Sequence, residues 1–152
     1  MSEAALPQAI FNIEKLYVKD LSLEIPHAPG IFLERESPQI DLQLHSEASS
    51  VEEGMYEVAV TVTVTAKLAD KVAYLIEVQQ AGIFNAAGFS AGDMGAILGS
   101  YCPNILFPFV REVISDVVTK GGFPQLVLAP VNFDALYAQH VQQQSSPQQV
   151  AH

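Results

Sequence analysis

Residues 56–80 read YEVAVTVTVTAKLADKVAYLIEVQQ, and this stretch decides the fold class. Apolar side chains alternate with mostly polar ones from residue 56 to residue 65, and a second alternation runs from residue 72 to residue 79. A period of two predicts β-strands that bury one face. The short link at residues 68–71 favours a β-hairpin. We therefore predict two antiparallel strands in this stretch.

Two further strands are predicted before this hairpin. Ile40, Leu42 and Leu44 alternate with polar residues and indicate a short strand, whereas residues 13–25 indicate a long one. Lysines interrupt the apolar phase of the long strand, which predicts a β-bulge or a change of register. We expect four antiparallel strands between residues 9 and 84.

The second half of the chain changes to a helical period. Four glycines fall on one stripe of a predicted helix: Gly88, Gly92, Gly95 and Gly99. Because each interior glycine costs about 1 kcal/mol relative to alanine, this helix requires another element to pack on it. A stronger helix is predicted after residues 102–104 and ends at Gly121, and Asn132 is placed to cap a last helix.

These periods predict an α+β subunit, with a four-stranded antiparallel sheet followed by two to three helices packed on one face. We expect residues 1–144 to form a single domain and residues 145–152 to be a mobile polar tail. The apolar share of 49% is sufficient for one core. Only 16% of the residues are charged, against roughly 25% in typical proteins, so much of the surface must be neutral or apolar.

The formal net charge of −10 limits the partners that the chain can bind. Of the 17 acidic residues, 11 lie within residues 1–57. A protein that tracks nucleic acid or anionic lipid needs clustered Lys and Arg, so we expect neither partner, and a basic protein fits better. The first residues, MSEAALPQ, have no basic residue or long apolar run, so we expect no leader peptide and no direct membrane insertion.

The candidates for catalysis are weak. The single cysteine, Cys102, excludes an internal disulfide and a multi-thiolate zinc site, and each of the four histidines stands alone in its segment. A buried, inert thiol is the plainer interpretation of Cys102. We therefore expect no enzyme, no cofactor and no metal. A polar pocket around Cys102 with a histidine in reach would revive the enzyme hypothesis.

Apolar residues in apparent loops are more informative. Residues 31–33 follow a Pro/Gly turn, and phenylalanine, leucine and valine surround Pro108, Pro124 and Pro130. A monomer rarely exposes such a surface unless it is an interface or a binding groove. The alternative is that these loops fold back and complete a small core.

Four segments, in this order and spacing, carry a resemblance that covers residues 10–144: KLYVKDLSLEIPHAP, LIEVQQAGIF, YCPNILFPFVREVI and GGFPQLVLAPVNFDALYAQ. They resemble the bacterial protein-export chaperone SecB. The resemblance implies a cytoplasmic homotetramer, a dimer of dimers, that holds unfolded preproteins and delivers them to the export motor ATPase SecA.

The resemblance also implies roles for individual residues. The docking face for SecA would consist of Asp20, Glu24, Leu75 and Glu77. The client groove is assigned partly from the resemblance and partly from apolar loop position: Ile31, Phe32, Phe109, Phe123, Leu126, Phe133 and Tyr137. The subunit interface would include Ile76, Val78 and Gln80, together with the glycine stripe at Gly92, Gly95 and Gly99. Without the family, a solvated sheet face would explain the acidic residues equally well.

The chain departs from the family at its end. SecB tails often carry an acidic segment that contacts a zinc-bearing region of SecA, whereas the tail QQQSSPQQVAH has no acidic residue. Docking would then depend more on the sheet face. The alternatives are a SecB-like chaperone of a toxin–antitoxin system and a holding chaperone that does not serve export.

Overall fold

The sheet contains four antiparallel strands in the order β1-β4-β3-β2. In a computed structural model that describes residues 8–144, β1 spans Ile10–Glu24, β2 Gln39–Glu52, β3 Met55–Leu68 and β4 Lys71–Ala87. The predicted four-stranded antiparallel sheet is confirmed. The turn between β3 and β4 consists of two residues, and Ala69 adopts a left-handed φ of 56° there.

Strand β2 is longer than the sequence predicted. Its second half, residues 45–52, is polar and lacks apolar alternation, because most of its side chains on both faces are exposed. Backbone pairing nevertheless continues, with Ser46 opposite Val60 and Ser50 opposite Tyr56. The hydrogen-bonded ladder to β3 therefore compensates for the missing apolar face.

Strand β1 contains the predicted irregularity, and contains it twice. Its register against β4 shifts between Ile13 and Lys15 and again between Val18 and Asp20. Each shift adds one residue on β1, and one extra residue exchanges the two faces for everything that follows. Because of the second shift, Leu21 lies on the same face as Leu16 and Val18, although an odd-numbered residue would otherwise point to the opposite face from an even-numbered one.

One face of the sheet is covered by the long helix α2, Cys102–Lys120. The valines of β3 at 58, 60, 62 and 64 are fully buried, as are Ile76 and Val78 of β4. They form one core with Leu106, Val110 and Ile114 of α2. The opposite face carries the threonines of β3, which are partly exposed. Helices on one face of the sheet are therefore confirmed.

The helical segment before α2 differs from the prediction. Helix α1, Ala91–Ala96, continues through a π-helical turn, Ile97–Tyr101, directly into α2. The predicted break at residues 102–104 is wrong, since the wider π turn precedes Pro103 and accommodates the missing N–H of that residue.

Two residues near these helices also differ from the prediction. Gly88 has a φ of +85° and lies outside the helix. Pro108 lies inside α2, so Phe109 is a helical residue and does not belong to a loop.

The last helix, α3, spans Phe133–Gln144 and packs mainly on the π turn, not on the sheet. Asn132 caps it as predicted, because its side-chain oxygen accepts a hydrogen bond from the Ala135 N–H at 3.0 Å. The Tyr137 ring lies over two glycines: a Cβ atom on Gly99 would be 2.5 Å from ring atom Cδ1, and one on Gly95 would be 2.6 Å from the hydroxyl oxygen. The predicted tail at residues 145–152 lies outside the described residues.

The glycine stripe therefore accommodates an aromatic ring of the same chain. This contact accounts for Gly95 and Gly99 without a second subunit, and their assignment to a subunit interface stays a prediction. Gly92 has open space around it and meets no neighbour within the chain.

The two kinds of glycine predict opposite effects of substitution by alanine. In Gly99→Ala the new methyl group overlaps the Tyr137 ring, so we expect a loss of roughly 1–3 kcal/mol in the free energy of unfolding. In Gly92→Ala the methyl group meets nothing, so we expect a gain of up to about 1 kcal/mol. Urea unfolding followed by circular dichroism measures both, and Tyr137→Ala should abolish the penalty of Gly99→Ala. Equal effects of the two substitutions would contradict the assigned contact.

Candidate functional site

An acidic surface lies on the sheet face opposite α2. The register pairs Glu24 with Leu75 and Asp20 with Gln79, and Glu77 follows two residues after Leu75 on the same face. Directly paired residues of antiparallel strands project from one face. The four predicted docking residues are therefore brought together on one face, with the three carboxylates exposed and Leu75 half-buried at the end of the group, beside Glu24. We call this surface, Asp20, Glu24, Leu75 and Glu77, the acidic face.

The charges of the acidic face are not compensated by any ion pair among the described residues. Across residues 8–144, Asp20, Glu24 and Glu77 take part in no salt bridge, and Glu77 accepts one long hydrogen bond of 3.3 Å from the Thr63 hydroxyl. Their negative potential is therefore available to a partner. Complementary charge accelerates encounter and fixes register, and an apolar residue beside the charges adds affinity.

Beside the acidic face lies a polar cluster that the sequence did not reveal. The Tyr17 hydroxyl donates to Glu57 Oε2 at 2.5 Å, and Lys19 Nζ lies 2.9 Å from Oε1 and 3.0 Å from Oε2 of the same carboxylate. Tyr17 and Lys19 belong to β1 and Glu57 to β3, so both side chains cross the intervening strand β4. The buried Ala81, which pairs with Tyr17, has too short a side chain to obstruct them.

This cluster shifts the pKa values of two of its members. The hydrogen bonds from Tyr17 and then from Lys19 lower the pKa of Glu57. Burial, with the hydrogen bond to Glu57, raises the pKa of Tyr17 to about 12. Because the fold favours the ionised carboxylate, the stabilisation from Glu57 is present at neutral pH and decreases as the pH falls below the ordinary value of 4.5.

A second candidate site is an aromatic cavity of about 260 Å³, with Ile31, Phe32 and Phe123 in its lining. The rings of Phe32 and Phe123 lie 5.0 Å apart, and Phe123 lies 4.7 Å from the ring of Tyr74. The aromatic side chains thus form a row from the short helical turn Gly30–Leu33 to β4. Arg35 and Glu36 bring charge to its rim.

The other predicted groove residues are distributed differently. Phe133 is buried, and it lines both a cavity of about 500 Å³ beside the π turn and one of about 490 Å³ between β2 and α3, where Tyr137 also lies. Leu126 packs partly against the core. Phe109 lies on α2 outside all of these cavities, with 44% of its surface exposed. The predicted residues therefore do not line one groove within the subunit: Ile31, Phe32 and Phe123 share one cavity, Phe133 and Tyr137 share another, and Leu126 and Phe109 line neither.

Two sets of site residues were missed by sequence reasoning. Tyr74 belongs to the aromatic row, but its place in a strand alternation indicated only a core position. Tyr17, Lys19 and Glu57 were missed because Glu57 lies 38 residues from Lys19 in the chain. The lysines that interrupt the apolar phase of β1 were the signal that pointed to this region.

The predicted subunit-interface residues of β4 lie in the core of the subunit. Ile76 and Val78 are fully buried beneath the helices, and Gln80 is 3% exposed. The side-chain oxygen of Gln80 has no hydrogen-bond partner within the described chain. Ile76 and Val78 share one core with residues of α2, and the contact of all three residues with another subunit stays a prediction.

The chemistry of the described residues gives no support to a nucleophilic or metal site. Cys102 is buried in the core as predicted, and burial raises the pKa of its thiol to about 12. The thiolate, which is the reactive form, is thus disfavoured at neutral pH. Residues 8–144 contain no group of three or more metal-ligating His, Cys, Asp or Glu side chains. In the same range, every helix is too short or too polar to cross a bilayer.

Comparison with known proteins identifies relatives over most of the chain. The family model of preprotein translocase subunit SecB matches residues 4–144. The protein-export protein SecB of Methylobacillus flagellatus is 59% identical over 138 residues, which are 91% of this chain and 88% of that protein. That of Methylococcus capsulatus is 53% identical over 144 residues, which are 93% of each chain.

A solved structure shares the fold. The SecB-like chaperone of Mycobacterium tuberculosis, in complex with a ChAD peptide from the HigA1 antitoxin, matches with a TM-score of 0.65. The match covers 80% of this chain and 90% of that one at 14% identity, so it supports the fold alone.

The cluster around Glu57 predicts an unusual titration of Tyr17. At pH 11 a tyrosine with a pKa of about 12 is about one-tenth ionised, whereas one at the ordinary value of 10.0 is about nine-tenths ionised. The absorbance at the phenolate band should therefore be nearly the same in the native chain and in Tyr17→Phe at pH 11. A difference of one full phenolate, with unchanged circular dichroism, would contradict the raised pKa of Tyr17 and the burial and hydrogen bond that cause it.

Proposed function

The chain belongs to the SecB family, and from this premise we propose that it is a cytoplasmic chaperone that holds unfolded preproteins and delivers them to the export motor ATPase SecA. The observation that carries the proposal is the division of the subunit into two surfaces. The acidic face lies on one side of the sheet, and the apolar cavities lie on the helix side and in the loops. A holding chaperone needs both surfaces at the same time, one for the client and one for the motor.

Client holding fits the aromatic cavity. An unfolded chain presents scattered apolar side chains, and a row of rings can bind many such sequences because burial of apolar surface requires no particular side-chain order. Several weak sites act together when one client spans them. The aromatic cavity and the cavity at Phe133 and Tyr137 supply such a set in each subunit. This function needs no covalent step, so the proposal includes neither catalysis nor a cofactor.

Docking of SecA fits the acidic face. Its three carboxylates have no internal counter-charge among the described residues, and the half-buried Leu75 lies beside Glu24. A partner that offers Lys or Arg around an apolar pocket would match this arrangement. The sheet is a rigid support, since β4 is hydrogen-bonded on both sides. Client and motor would then bind without competition for the same residues.

We also propose the homotetramer of the family, a dimer of dimers. Four apolar side chains of the edge strands stand on the helix side of the sheet but outside the cover of α2: Val18, Leu21, Ile40 and Leu42, each 41–45% exposed. A second subunit would bury such residues. Ile76, Val78 and Gln80 would support this contact from the core beneath.

Reversal of charge on the acidic face tests the docking proposal. Glu24→Lys with Glu77→Lys should weaken SecA binding roughly tenfold, about 1.4 kcal/mol, by loss of complementary charge. Isothermal titration calorimetry at constant salt measures the affinity. Glu52→Lys with Glu53→Lys is the matched control, since it changes the net charge equally at the far β2–β3 turn. If both double variants bind SecA equally weakly, the loss comes from the net charge alone, and this result would contradict a docking face.

Two phenylalanines of equal exposure test the aromatic cavity. Phe32 and Phe109 are both 44% exposed, but only Phe32 lines the cavity. Phe32→Ala should therefore suppress the aggregation of an unfolded client less well than the native chain, by a factor of a few, while Phe109→Ala has the smaller effect. Light scattering of client and chaperone at fixed ratio measures this difference. Equal loss in both variants would show that exposed aromatic area, and not this cavity, holds the client.

A further inference from the structure

The acidic face depends on one extra residue in β1. Val18 pairs with Gln80 and Asp20 pairs with the adjacent Gln79, so Lys19 between them has no partner on β4. This is a β-bulge, in which two residues of one strand oppose one residue of the other. After the bulge, Asp20 and Glu24 project from the acidic face.

Without the bulge the same residues would point to the opposite face. Side chains alternate along a strand, so removal of one residue from the register exchanges the faces of everything beyond it. Asp20 and Glu24 would then face the helix side, and Leu21 and Leu23 would face the partner. The bulge at Lys19 is therefore the feature that assembles the carboxylates of β1 with Leu75 and Glu77 of β4.

The bulged residue and a residue just before it are attached to a single carboxylate. Lys19, the extra residue itself, lies 2.9 Å from Glu57, and Tyr17, two residues earlier, donates to the same side chain at 2.5 Å. Glu57 belongs to β3, which is held in the middle of the sheet by β4 and β2. The attachment thus connects the irregular edge strand to the regular interior and crosses β4 above Ala81.

We propose that Tyr17, Lys19 and Glu57 form a register clamp that positions the acidic face for its basic partner. The three residues are positioning residues, and the proposal rests on the docking function proposed above. The clamp adds no net charge beside the acidic face, because the ammonium of Lys19 neutralises the carboxylate of Glu57. Its contribution to docking is therefore geometric.

A double-mutant cycle separates geometry from charge. If only charge matters, Lys19→Met removes a positive charge and tightens SecA binding, Glu57→Gln removes a negative charge and weakens it, and the double variant binds like the native chain. If the clamp sets the register, all three variants bind SecA more weakly, and we expect a loss of at least about fivefold in each. Client holding should be unchanged in all three.

A conservative variant and a register measurement complete the test. Lys19→Arg keeps the ion pair, so it should bind SecA like the native chain. Ser22 and Glu77 are directly paired across β1 and β4, so cysteines at these two positions should form a disulfide on mild oxidation. The yield should fall when Lys19→Met and Glu57→Gln are added. The buried Cys102 is present in every sample and serves as an internal constant.

The outcomes distinguish the clamp from the docking proposal. If the acidic-face reversal leaves SecA affinity unchanged, docking is wrong, and the disulfide yield still judges the clamp without SecA. If that reversal weakens docking while the cycle follows charge alone, the clamp is wrong and docking stands. Two results of the disulfide measurement would overturn the register role of the clamp. One is a disulfide that forms equally well with and without the clamp residues, and the other is no disulfide in the chain that keeps the clamp.

Discussion

A side chain on a strand can point to only two faces, and the register of β1 against β4 decides which residues each face receives. β1 is an edge strand with one hydrogen-bonded neighbour, so its register is held less firmly than that of β3 or β4. One extra residue in β1, Lys19, keeps Leu21 on the helix side with Leu16 and Val18 despite their numbering. The same shift sends Asp20 and Glu24 to the acidic face, so core and partner surface depend on one constraint.

This constraint explains how a subunit with few charges maintains two surfaces of different chemistry. The valines of β3 and the apolar residues of β4 fill one face and are covered by α2, while threonines and carboxylates occupy the other. Apolar side chains that α2 does not cover remain at the edge strands and around Phe32. The acidic and apolar surfaces therefore lie on opposite sides of a single sheet.

The sequence predicted what short-range periodicity determines and missed what depends on distant contacts. The β3–β4 hairpin, the bulged β1, the Asn132 cap and the end of α2 all follow from neighbouring residues, and they are confirmed. The break before α2 was wrong because a π turn, which no local pattern indicates, accommodates Pro103. The polar half of β2 lacks the alternation that would have revealed it. The acidic face itself was assigned through the family resemblance, and only the register shows why its residues meet.

The aromatic cavity is formed by side chains that belong partly to the core and partly to the surface. Phe123 lies between the rings of Phe32 and Tyr74, so it contributes to the core on one side and to the cavity on the other. Gly122, with a φ of +90°, lets the chain turn directly after α2, and a Cβ atom on residue 122 would be 3.0 Å from Cε1 of the Phe32 ring. A larger residue there would strain the backbone and press on the Phe32 ring. Apolar residues that a minimal core would bury are thus kept half-exposed by backbone geometry, which is the condition for binding chains that are themselves unfolded.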